Sequence, residues 1–252
     1  MPRTNFKELL QAGVHFGHLK KKYNPAMAPY IFMEKNGIHI IDLNKTLAMI
    51  EEAASAMKQI AKSGKKILFV ATKKQAKTVV AETAKKLDMP YITERWPGGL
   101  LTNFSTIRKS IKKMDGIDKM KVDGTFDSLS KRERLQISRT REKLEINLGS
   151  IVKMNRMPEA IFIIDINKEH IALKESVKLG IRSFAVTDTN TNPNNVNFPI
   201  PGNDDASKSI AYIVDIVSKA IAEGLEERAE EQNKKALEKQ KKAKKISEEA
   251  KK

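Results

Sequence analysis

Cysteine is absent from this chain of 252 residues. Its absence excludes disulfide bonds, a thiol nucleophile and a zinc site built on thiolates. No apolar run approaches the roughly 18–20 residues that a membrane-spanning helix needs. The first eight residues, MPRTNFKE, contain no apolar core of a secretory signal. We therefore expect a cytoplasmic protein that does not enter a membrane.

Glycine is also lacking where nucleotide-binding folds require it. The segment after the first strand of the predicted α/β body reads Thr72-Lys73-Lys74-Gln75, and the chain contains neither G-x-x-x-x-G-K-[ST] nor G-x-G-x-x-G. Without these glycines, backbone amides cannot close around a diphosphate. Nucleotide binding through either of these two glycine-rich motifs is therefore disfavoured.

Positive charge, in contrast, is abundant. The chain has 47 Lys and Arg residues against 31 Asp and Glu residues, a formal net charge of +16. Such a balance favours acidic partners, with nucleic acid first and an anionic membrane second. The alternative without a binding partner is that the positive charge only keeps the protein soluble. Because the charge is segregated along the chain and not spread evenly, we favour a polyanion partner.

Short apolar runs alternate with amphipathic helical segments over most of the chain. The predicted strands are residues 66–71, 90–93, 160–165, 182–187 and 198–200. The predicted helices are residues 44–61, 74–87, 168–179 and a last helix from about 204 to about 224. Strands that are apolar on both faces and separated by helices are typical of a parallel sheet covered on both sides. Residues 30–33 and 38–41 additionally predict a β-hairpin.

About fifty residues of a different kind interrupt this alternation. In residues 103–154, apolar side chains follow helical spacing at Phe104, Ile107, Ile111 and Met114, and again at Leu144, Leu148, Ile151 and Met154. Lys and Arg are about twice as frequent there as Asp and Glu. This pattern predicts an inserted antiparallel helical, coiled-coil hairpin that carries basic surface.

The predicted division of the chain therefore has three parts. Residues 1–102 and 155–224 form one α/β domain, and residues 103–154 form the inserted hairpin. Residues 225–252 are rich in lysine and nearly devoid of apolar side chains. That tail is either a solvated extension of the last helix or a disordered segment.

The connection between the sheet and the hairpin contains the only tryptophan, in the sequence Arg95-Trp96-Pro97-Gly98-Gly99. An exposed Arg-Trp pair would stack on a base or a ribose. A lone tryptophan more often anchors a hinge in the core, with the glycines supplying the bend. We favour the anchor, with Thr102 or Asn103 capping the first hairpin helix.

The candidate RNA contacts are lysines and arginines on rigid elements, since phosphate contacts supply most of the affinity for RNA. Four of them recur on one stripe of the first hairpin helix: Arg108, Lys109, Lys112 and Lys113. The others are Arg132, Arg134 and Arg139 on the second helix, Lys20, Lys21 and Lys22 in a loop, Lys73 and Lys74 at a helix N-terminus, and Arg95. Arg141 falls at a seam-like position and is expected either to bind RNA or to pair with an acidic residue of the first helix.

Carboxylates follow the ends of the predicted parallel strands, at Asp165, Asp188, Asp204 and Asp205. Converging carboxylates can hold Mg²⁺, which would suit a phosphotransfer or nuclease enzyme. The alternative is that they cap helices and close turns. His18 would join Asp188 or Asp204 around a divalent ion if the N-terminal segment folds over this edge; otherwise it is a buried or capping histidine.

Seven blocks of this sequence, in order, resemble the bacterial small-subunit ribosomal protein two family, over about residues 6–224. They are GVHFGH from Gly13, Asn24-Pro25 with Met27 and Tyr30-Ile31, GIHIIDL from Gly37, FVATKKQA from Phe69, Arg95-Trp96 with GGLLTN from Gly98, Asp188-Thr189-Asn190 with Pro193, and IPGNDDA from Ile200. The chain departs from the family at Pro97, where leucine is common, and in the tail after Gly224.

The resemblance implies a flavodoxin-like, doubly wound α/β domain with a helical-hairpin insertion. It implies a structural, non-enzymatic constituent of the small ribosomal subunit that binds ribosomal RNA and supports translation. Neighbouring ribosomal proteins, including ribosomal protein one, are the implied protein partners. It implies that no cofactor is required. Whether a single divalent ion, Zn²⁺ or Mg²⁺, binds near His18, Asp188, Asp204 and Asp205 is left open. The alternatives are the Mg²⁺-dependent enzyme and a basic adaptor that binds acidic proteins.

Overall fold

The computed structural model describes the backbone of residues 3–249 and the side chains of residues 3–234. The helices are α1 (Phe6–Gln11), α2 (Leu43–Lys62), α3 (Lys74–Lys86), α4 (Phe104–Val122), α5 (Lys131–Leu148), α6 (His170–Lys178) and α7 (Ser207–Glu249). The strands are β1 (Phe16–Leu19), β2 (Ile31–Lys35), β3 (Ile38–Ile41), β4 (Ile67–Val70), β5 (Tyr91–Ile92), β6 (Ala160–Ile164), β7 (Arg182–Thr187) and β8 (Phe198–Pro201). Within residues 3–249, no helix is both long and apolar enough to cross a membrane.

Five strands form a parallel sheet in the order β5-β4-β6-β7-β8, and all of its pairings are parallel. Counted along the chain within this sheet, that is the order 2-1-3-4-5 of flavodoxin-like folds. The predicted α/β class with a mostly parallel five-stranded sheet is therefore confirmed. The strand order reverses between β4 and β6, where such folds bind their ligands.

The parallel strands are buried on both faces because each face meets its own apolar layer. Phe69 and Phe162 point into a cluster with α2, α3 and α7, while the adjacent Val70 and Ile163 point into a second cluster with α6 and the base of α4 and α5. Every residue of β4 and β6 is buried. Two-sided burial explains why these strands read as continuous apolar runs and not as alternating ones.

A second sheet of three antiparallel strands, in the order β1-β3-β2, covers one end of the body. The predicted hairpin forms β2 and β3, and the sequence prediction missed β1. Gly17 lets β1 lie against the loop after β7, since a Cβ at this position would stand 2.6 Å from Thr189 Cγ2. This close approach brings the neighbouring His18 to the ends of the parallel strands.

The inserted segment, here called the arm (residues 103–154), contains α4 and α5. Contacts between the two helices run in opposite order along the chain, as in an antiparallel pair: Arg108 reaches Val152 and Arg141 reaches Asp118. The seam of α4 is buried at Ile111, Met114 and Ile117. Helix α5 begins with a capping box between Ser130 and Glu133 and ends at Leu148, so Ile151 packs from the 3-10 turn that follows.

Helix α7 continues past the predicted end near Gly224 and reaches Glu249. Gly224 serves close packing and not helix termination, because a Cβ there would stand 2.4 Å from the backbone oxygen of Lys58 in α2. Beyond Gly224, Glu227 forms ion pairs with Lys58 at 2.7 Å and with Lys62 at 3.1 Å. The extension of the last helix is thus held against α2 by charge as well as by shape.

Candidate nucleic-acid interface and strand-end cluster

The strand-end cluster consists of Lys73, which follows β4, with Asp165 after β6, Asp188 after β7, and Asp204 and Asp205 after β8. Parallel strands bring their carboxyl ends to one edge, so the sheet itself gathers these residues. Asp165 has a φ of +67°, in the left-handed region that aspartate tolerates better than most residues. Its Oδ1 accepts hydrogen bonds from the amides of Asn167 and Lys168, which is the capping role that sequence reasoning weighed against catalysis.

Lys73 lies inside this cluster. Its Nζ is 2.7 Å from Asp204 Oδ1, 2.7 Å from Asp205 Oδ1 and 3.1 Å from Asp165 Oδ2. Burial works to lower the pKa of Lys73, but the carboxylates, Asp204 foremost, outweigh it and the pKa is raised. The ammonium is therefore matched within the protein, which argues against the predicted contact between Lys73 and RNA.

His18 crosses over the same edge and joins the cluster, so the N-terminal segment folds over the strand ends, which is one of the two possibilities that the sequence left open. Its Nδ1 is 2.9 Å from Asp188 Oδ2 and its Nε2 is 3.3 Å from Asp205 Oδ2. The backbone amide of His18 donates to Thr189 Oγ1 at 2.9 Å, which fixes its position. The hydrogen bond to Asp188, opposed by burial and assisted by the charges of the carboxylates, raises the pKa of His18.

A divalent ion would fit this arrangement. Ligand atoms of His18, Asp188 and Asp204 all lie within 4.8 Å of one another. Asp204 is fully buried, and its Oδ2 has no hydrogen-bond partner within the described residues. Burial, with the charges of Asp188 and Asp165, raises the pKa of Asp204 to about 7, although Lys73 acts in the opposite direction. One buried carboxylate oxygen thus lacks a positive partner at a point where three possible ligands meet.

The joint between sheet and arm, here called the arm root (residues 96–103), is held by one carboxylate, Glu175 of α6. Its Oε1 accepts hydrogen bonds from Trp96 Nε1 at 3.0 Å and the Gly99 amide at 2.8 Å. Its Oε2 accepts from the amides of Leu101 and Thr102, both at 3.0 Å, and from Thr102 Oγ1 at 3.1 Å. The predicted anchoring role of Trp96 is confirmed, since the side chain is 7 % exposed.

Burial alone would raise the pKa of Glu175, but the donors of Trp96, Thr102, Gly99 and Leu101 outweigh it, so its pKa lies below the usual value. Sequence reasoning missed this residue. A signal was present in its register, because Glu175 lies three residues after the buried Ala172 and therefore on the buried face of α6.

The arm carries the cations that the sequence placed on one stripe of its first helix. Lys109, Lys112 and Lys113 are exposed and have no carboxylate partner among residues 3–234. Arg108 differs from them, because its Nη1 donates to the backbone oxygen of Val152 at 3.2 Å and so ties the two ends of the arm together. The stripe available to a partner therefore consists of the three lysines.

The arginines of α5 likewise divide into exposed, unpaired side chains and side chains that lie near a carboxylate. Arg132 and Arg139 are exposed and unpaired within the described residues. Arg134 is 3.9 Å from Asp127. Arg141 Nε is 2.8 Å from Asp118 Oδ1, so the expected alternative of pairing with the first arm helix is confirmed.

The remaining predicted contacts lie on the body. Lys20 pairs with Glu34 at 2.8 Å, whereas Lys21 and Lys22 are exposed on the same 3-10 turn. Lys74 is the exposed first residue of α3, and Arg95 is exposed beside the buried Trp96. These residues and the arm lysines lie on different elements: the 3-10 turn, the start of α3, the joint before the arm, and α4.

Comparison with known proteins connects this architecture to a family. The family model described as Ribosomal protein S2 matches residues 9–224, which include the body, the arm and the strand-end cluster. The chain belongs to the ribosomal protein S2 family. It is 66 % identical over 232 residues to the small ribosomal subunit protein uS2 of Phocaeicola vulgatus, covering 92 % of this chain and 83 % of the relative.

Other relatives carry the same name. The small ribosomal subunit protein uS2 of Flavobacterium johnsoniae is 62 % identical over 234 residues, covering 93 % of this chain and 92 % of the relative. That of Bacteroides fragilis is 64 % identical over 232 residues, covering 92 % and 84 %. Members of the ribosomal protein S2 family are structural components, and the match gives no support to the Mg²⁺-dependent enzyme.

The geometry agrees with a structural family, because the switch point between β4 and β6 is filled by the protein itself. Where a flavodoxin-like fold would admit a phosphate group, the ammonium of Lys73 already lies between carboxylates. Apart from Asp204 Oδ2, the carboxylates are engaged by Lys73, His18 and backbone amides. The crevice is consequently a structural core of charges and not an open substrate site.

Proposed function

We propose that this protein is a structural constituent of the small ribosomal subunit in the cytoplasm and binds ribosomal RNA through its arm. Membership in the ribosomal protein S2 family carries the proposal. The exposed, unpaired stripe of Lys109, Lys112 and Lys113 supports the arm as the principal contact. Arg132 and Arg139 add planar donors on α5, and Lys21, Lys22, Lys74 and Arg95 add contacts from the body.

The mode of binding follows from the kind of side chain that the arm offers. Lysines on a rigid helix neutralise phosphates and release condensed counterions, which makes the affinity salt-dependent. A-form RNA hides base edges in a deep and narrow major groove, so shape and backbone are recognised more than sequence. Glu175 fixes the arm root, so the stripe meets the RNA from one direction.

The test is charge reversal on the arm. In the double variant Lys109→Glu/Lys112→Glu, we expect affinity for a small-subunit ribosomal RNA transcript to fall at least tenfold, with a slope of log affinity against log salt that is smaller by about 2. Lys86→Glu, an exposed position on α3, is the control for overall charge. Unchanged binding by the double variant would contradict the arm as the contact.

Protein partners are the second part of the proposal. Neighbouring small-subunit proteins, ribosomal protein one among them, would dock on the antiparallel sheet. Large apolar side chains of this sheet face solvent. Phe32 is 70 % exposed, Leu19 53 % and Phe16 48 %. We expect Phe32→Ser to weaken binding of ribosomal protein one without lowering the unfolding midpoint; equal binding by variant and wild type would contradict this docking face.

We also propose that His18, Asp188 and Asp204, with Asp205 beside them, hold one divalent ion that the fold does not require. The buried and unpartnered Asp204 Oδ2 favours it. An imidazole among the ligands suits Zn²⁺ better than Mg²⁺. Bound there, the ion would neutralise the carboxylates and tie the N-terminal segment to the strand ends.

Titration calorimetry with ZnCl₂ or MgCl₂ alone tests the ion. We expect one Zn²⁺ per chain in the wild type and none in Asp204→Asn. Asp215→Asn, which removes an exposed carboxylate paired with Lys219, is the matched control and should bind like the wild type. Absence of Zn²⁺ binding to the wild-type chain would contradict the proposal.

A further inference from the structure

A groove of about 830 Å³ opens between α6 and the loop that leads into β8, and its lining includes none of the residues so far assigned to RNA. Helix α6 contributes His170 and Lys174, the first residue of β7 contributes Arg182, and the loop contributes several asparagines. Leu173 and Val196 form part of an apolar floor. We call this site the asparagine groove.

The charge in the asparagine groove is of one sign. Lys174 and Arg182 are exposed and have no carboxylate partner among residues 3–234. Among the described residues that line the groove, none is aspartate or glutamate. This contrasts with the strand-end cluster, where Lys73 is matched by three carboxylates. A ligand of the groove therefore has to bring the negative charge.

The asparagines bias the groove toward hydrogen-bond donation. In three of them the side-chain oxygen is already used: Asn24 Oδ1 accepts from the Ala26 amide at 3.0 Å, Asn192 Oδ1 from the Asn194 amide at 3.0 Å, and Asn197 Oδ1 from the Ser183 amide at 2.9 Å. These bonds fix the orientation of each side-chain amide, because a backbone N–H requires an acceptor. The Nδ2 groups that remain can only donate.

We propose that the asparagine groove is a second ribosomal-RNA site, which binds the sugar-phosphate backbone of one RNA segment. It rests on the proposed function and adds to it a surface that no sequence signal indicated. Phosphate oxygens are anionic and accept hydrogen bonds only, so they match a surface of cations and amide donors. The apolar floor that includes Leu173 and Val196 suits the faces of ribose rings.

An acidic peptide fits the same groove less well. Its carboxylates would meet Lys174 and Arg182, but its backbone also presents an N–H donor at nearly every residue. Each of the three oriented asparagines already uses its oxygen as an acceptor, so it offers a peptide N–H fewer acceptor positions than it offers a phosphate donors. The excess of donors thus favours a phosphodiester over a polypeptide.

The position of the groove on α6 gives it a role in orientation. Lys174 lines the groove, and the next residue, Glu175, holds the arm root. One rigid helix therefore sets the spacing between the groove and the arm. Two contacts at fixed spacing strengthen binding only when the RNA presents both targets at that spacing. The pair of sites would consequently select the folded small-subunit RNA over isolated helices.

Tethered cleavage tests the location directly, since a single introduced cysteine is unique in a chain without cysteine. Asn194→Cys at the groove and Ser105→Cys on the arm would each carry an iron chelate in reconstituted small subunits. We expect both tethers to cleave ribosomal RNA, at different segments. Cleavage from the arm but not from the groove would overturn the second site, and cleavage from neither would overturn the proposed function.

Affinity provides the second measurement, with a small-subunit ribosomal RNA transcript as the probe. We expect Lys174→Glu/Arg182→Glu to bind at least tenfold more weakly, with the salt slope smaller by about 2. Asn197→Asp keeps the acceptor for Ser183 but replaces the free donor with an anion, and should weaken binding severalfold at an unchanged unfolding midpoint. Normal RNA affinity in both variants, with defective binding of a neighbouring ribosomal protein, would overturn the RNA assignment.

Discussion

Cations meet opposite surroundings at the strand ends and on the arm. Lys73 has three carboxylate oxygens within 3.1 Å, whereas Lys109, Lys112 and Lys113 have no carboxylate partner among residues 3–234. A charge that is already matched and partly buried contributes to the fold, and removing it leaves buried charges unpaired. A solvated charge contributes little to folding but remains available to phosphate. The two regions therefore separate stability from binding.

Replacing Lys73 gives the largest expected effect on this contrast. Lys73→Met keeps the length of the side chain but leaves Asp165 and Asp204 without this cation and Asp205 with His18 alone. Breaking a buried ion pair costs roughly 3 kcal/mol or more, so we expect the free energy of unfolding in urea to fall by about that amount. Affinity of the folded variant for ribosomal RNA should stay within twofold of wild type. A variant of wild-type stability with weakened RNA binding would show that Lys73 serves RNA binding and not the stability of the fold.

Glu175 extends the comparison to the joint that carries the arm. In Glu175→Gln the amide can accept at only one atom, so at least one buried donor of the arm root loses its partner. We expect the free energy of unfolding to fall by about 2 kcal/mol. RNA affinity should fall as well, because the arm is no longer held in one direction.

The matched control for Glu175 is Glu82→Gln, an exposed glutamate on α3. It should leave both urea unfolding and RNA affinity unchanged. If Glu175→Gln lowered stability but left RNA affinity unaltered, the arm root would hold the fold without orienting the arm.

Acid titration tests the same contribution of Glu175 to stability, with a smaller expected effect than the substitution. The pKa of Glu175 is lower in the folded protein than its ordinary value, so its contribution to stability is complete above the ordinary glutamate pKa. That contribution is lost as the pH falls through the depressed pKa. We expect the free energy of unfolding to decline more steeply on the acid side for wild type than for Glu175→Gln. Parallel curves would show that folding does not lower the pKa of Glu175.

Lys112→Met is the counterpart of Lys73→Met on the arm and has the smallest expected effect. Loss of one phosphate contact should weaken ribosomal-RNA binding a fewfold and reduce the salt slope by about 1. The unfolding midpoint in urea should not change, since Lys112 has no partner within the described residues. A shifted midpoint with unaltered RNA binding would place Lys112 in the structural class of Lys73.

Much of the fold was predictable because local patterns fix local structure. Two-sided apolar runs predicted the parallel strands, and β7 begins and ends where they placed it. Helical spacing predicted the seam of α4 through Ile111 and Met114. The lone Trp96 predicted an anchor. These features depend on residues that are near one another in sequence, and for such features periodicity and composition carry enough information.

Partners distant in sequence could not be predicted in this way. Glu169 accepts from the Thr72 amide at 2.9 Å across 97 residues, and Glu175 binds the arm root across more than 70. Neither carboxylate differs in sequence from an exposed helical glutamate except by its register. Gly224 likewise resembles a helix stop until α2 is seen against it.

Composition and periodicity were enough to predict the class of the fold and the basic arm, but they left open whether His18 meets the strand-end aspartates. Which cations remain available to a partner depends on the packing of the fold. Lys73 and Lys74 are adjacent in sequence, yet one lies among carboxylates and the other in solvent. The physical reason is that the availability of a charge depends on its neighbours in space and on its exposure to water, and both are set by the packing of elements far apart along the chain.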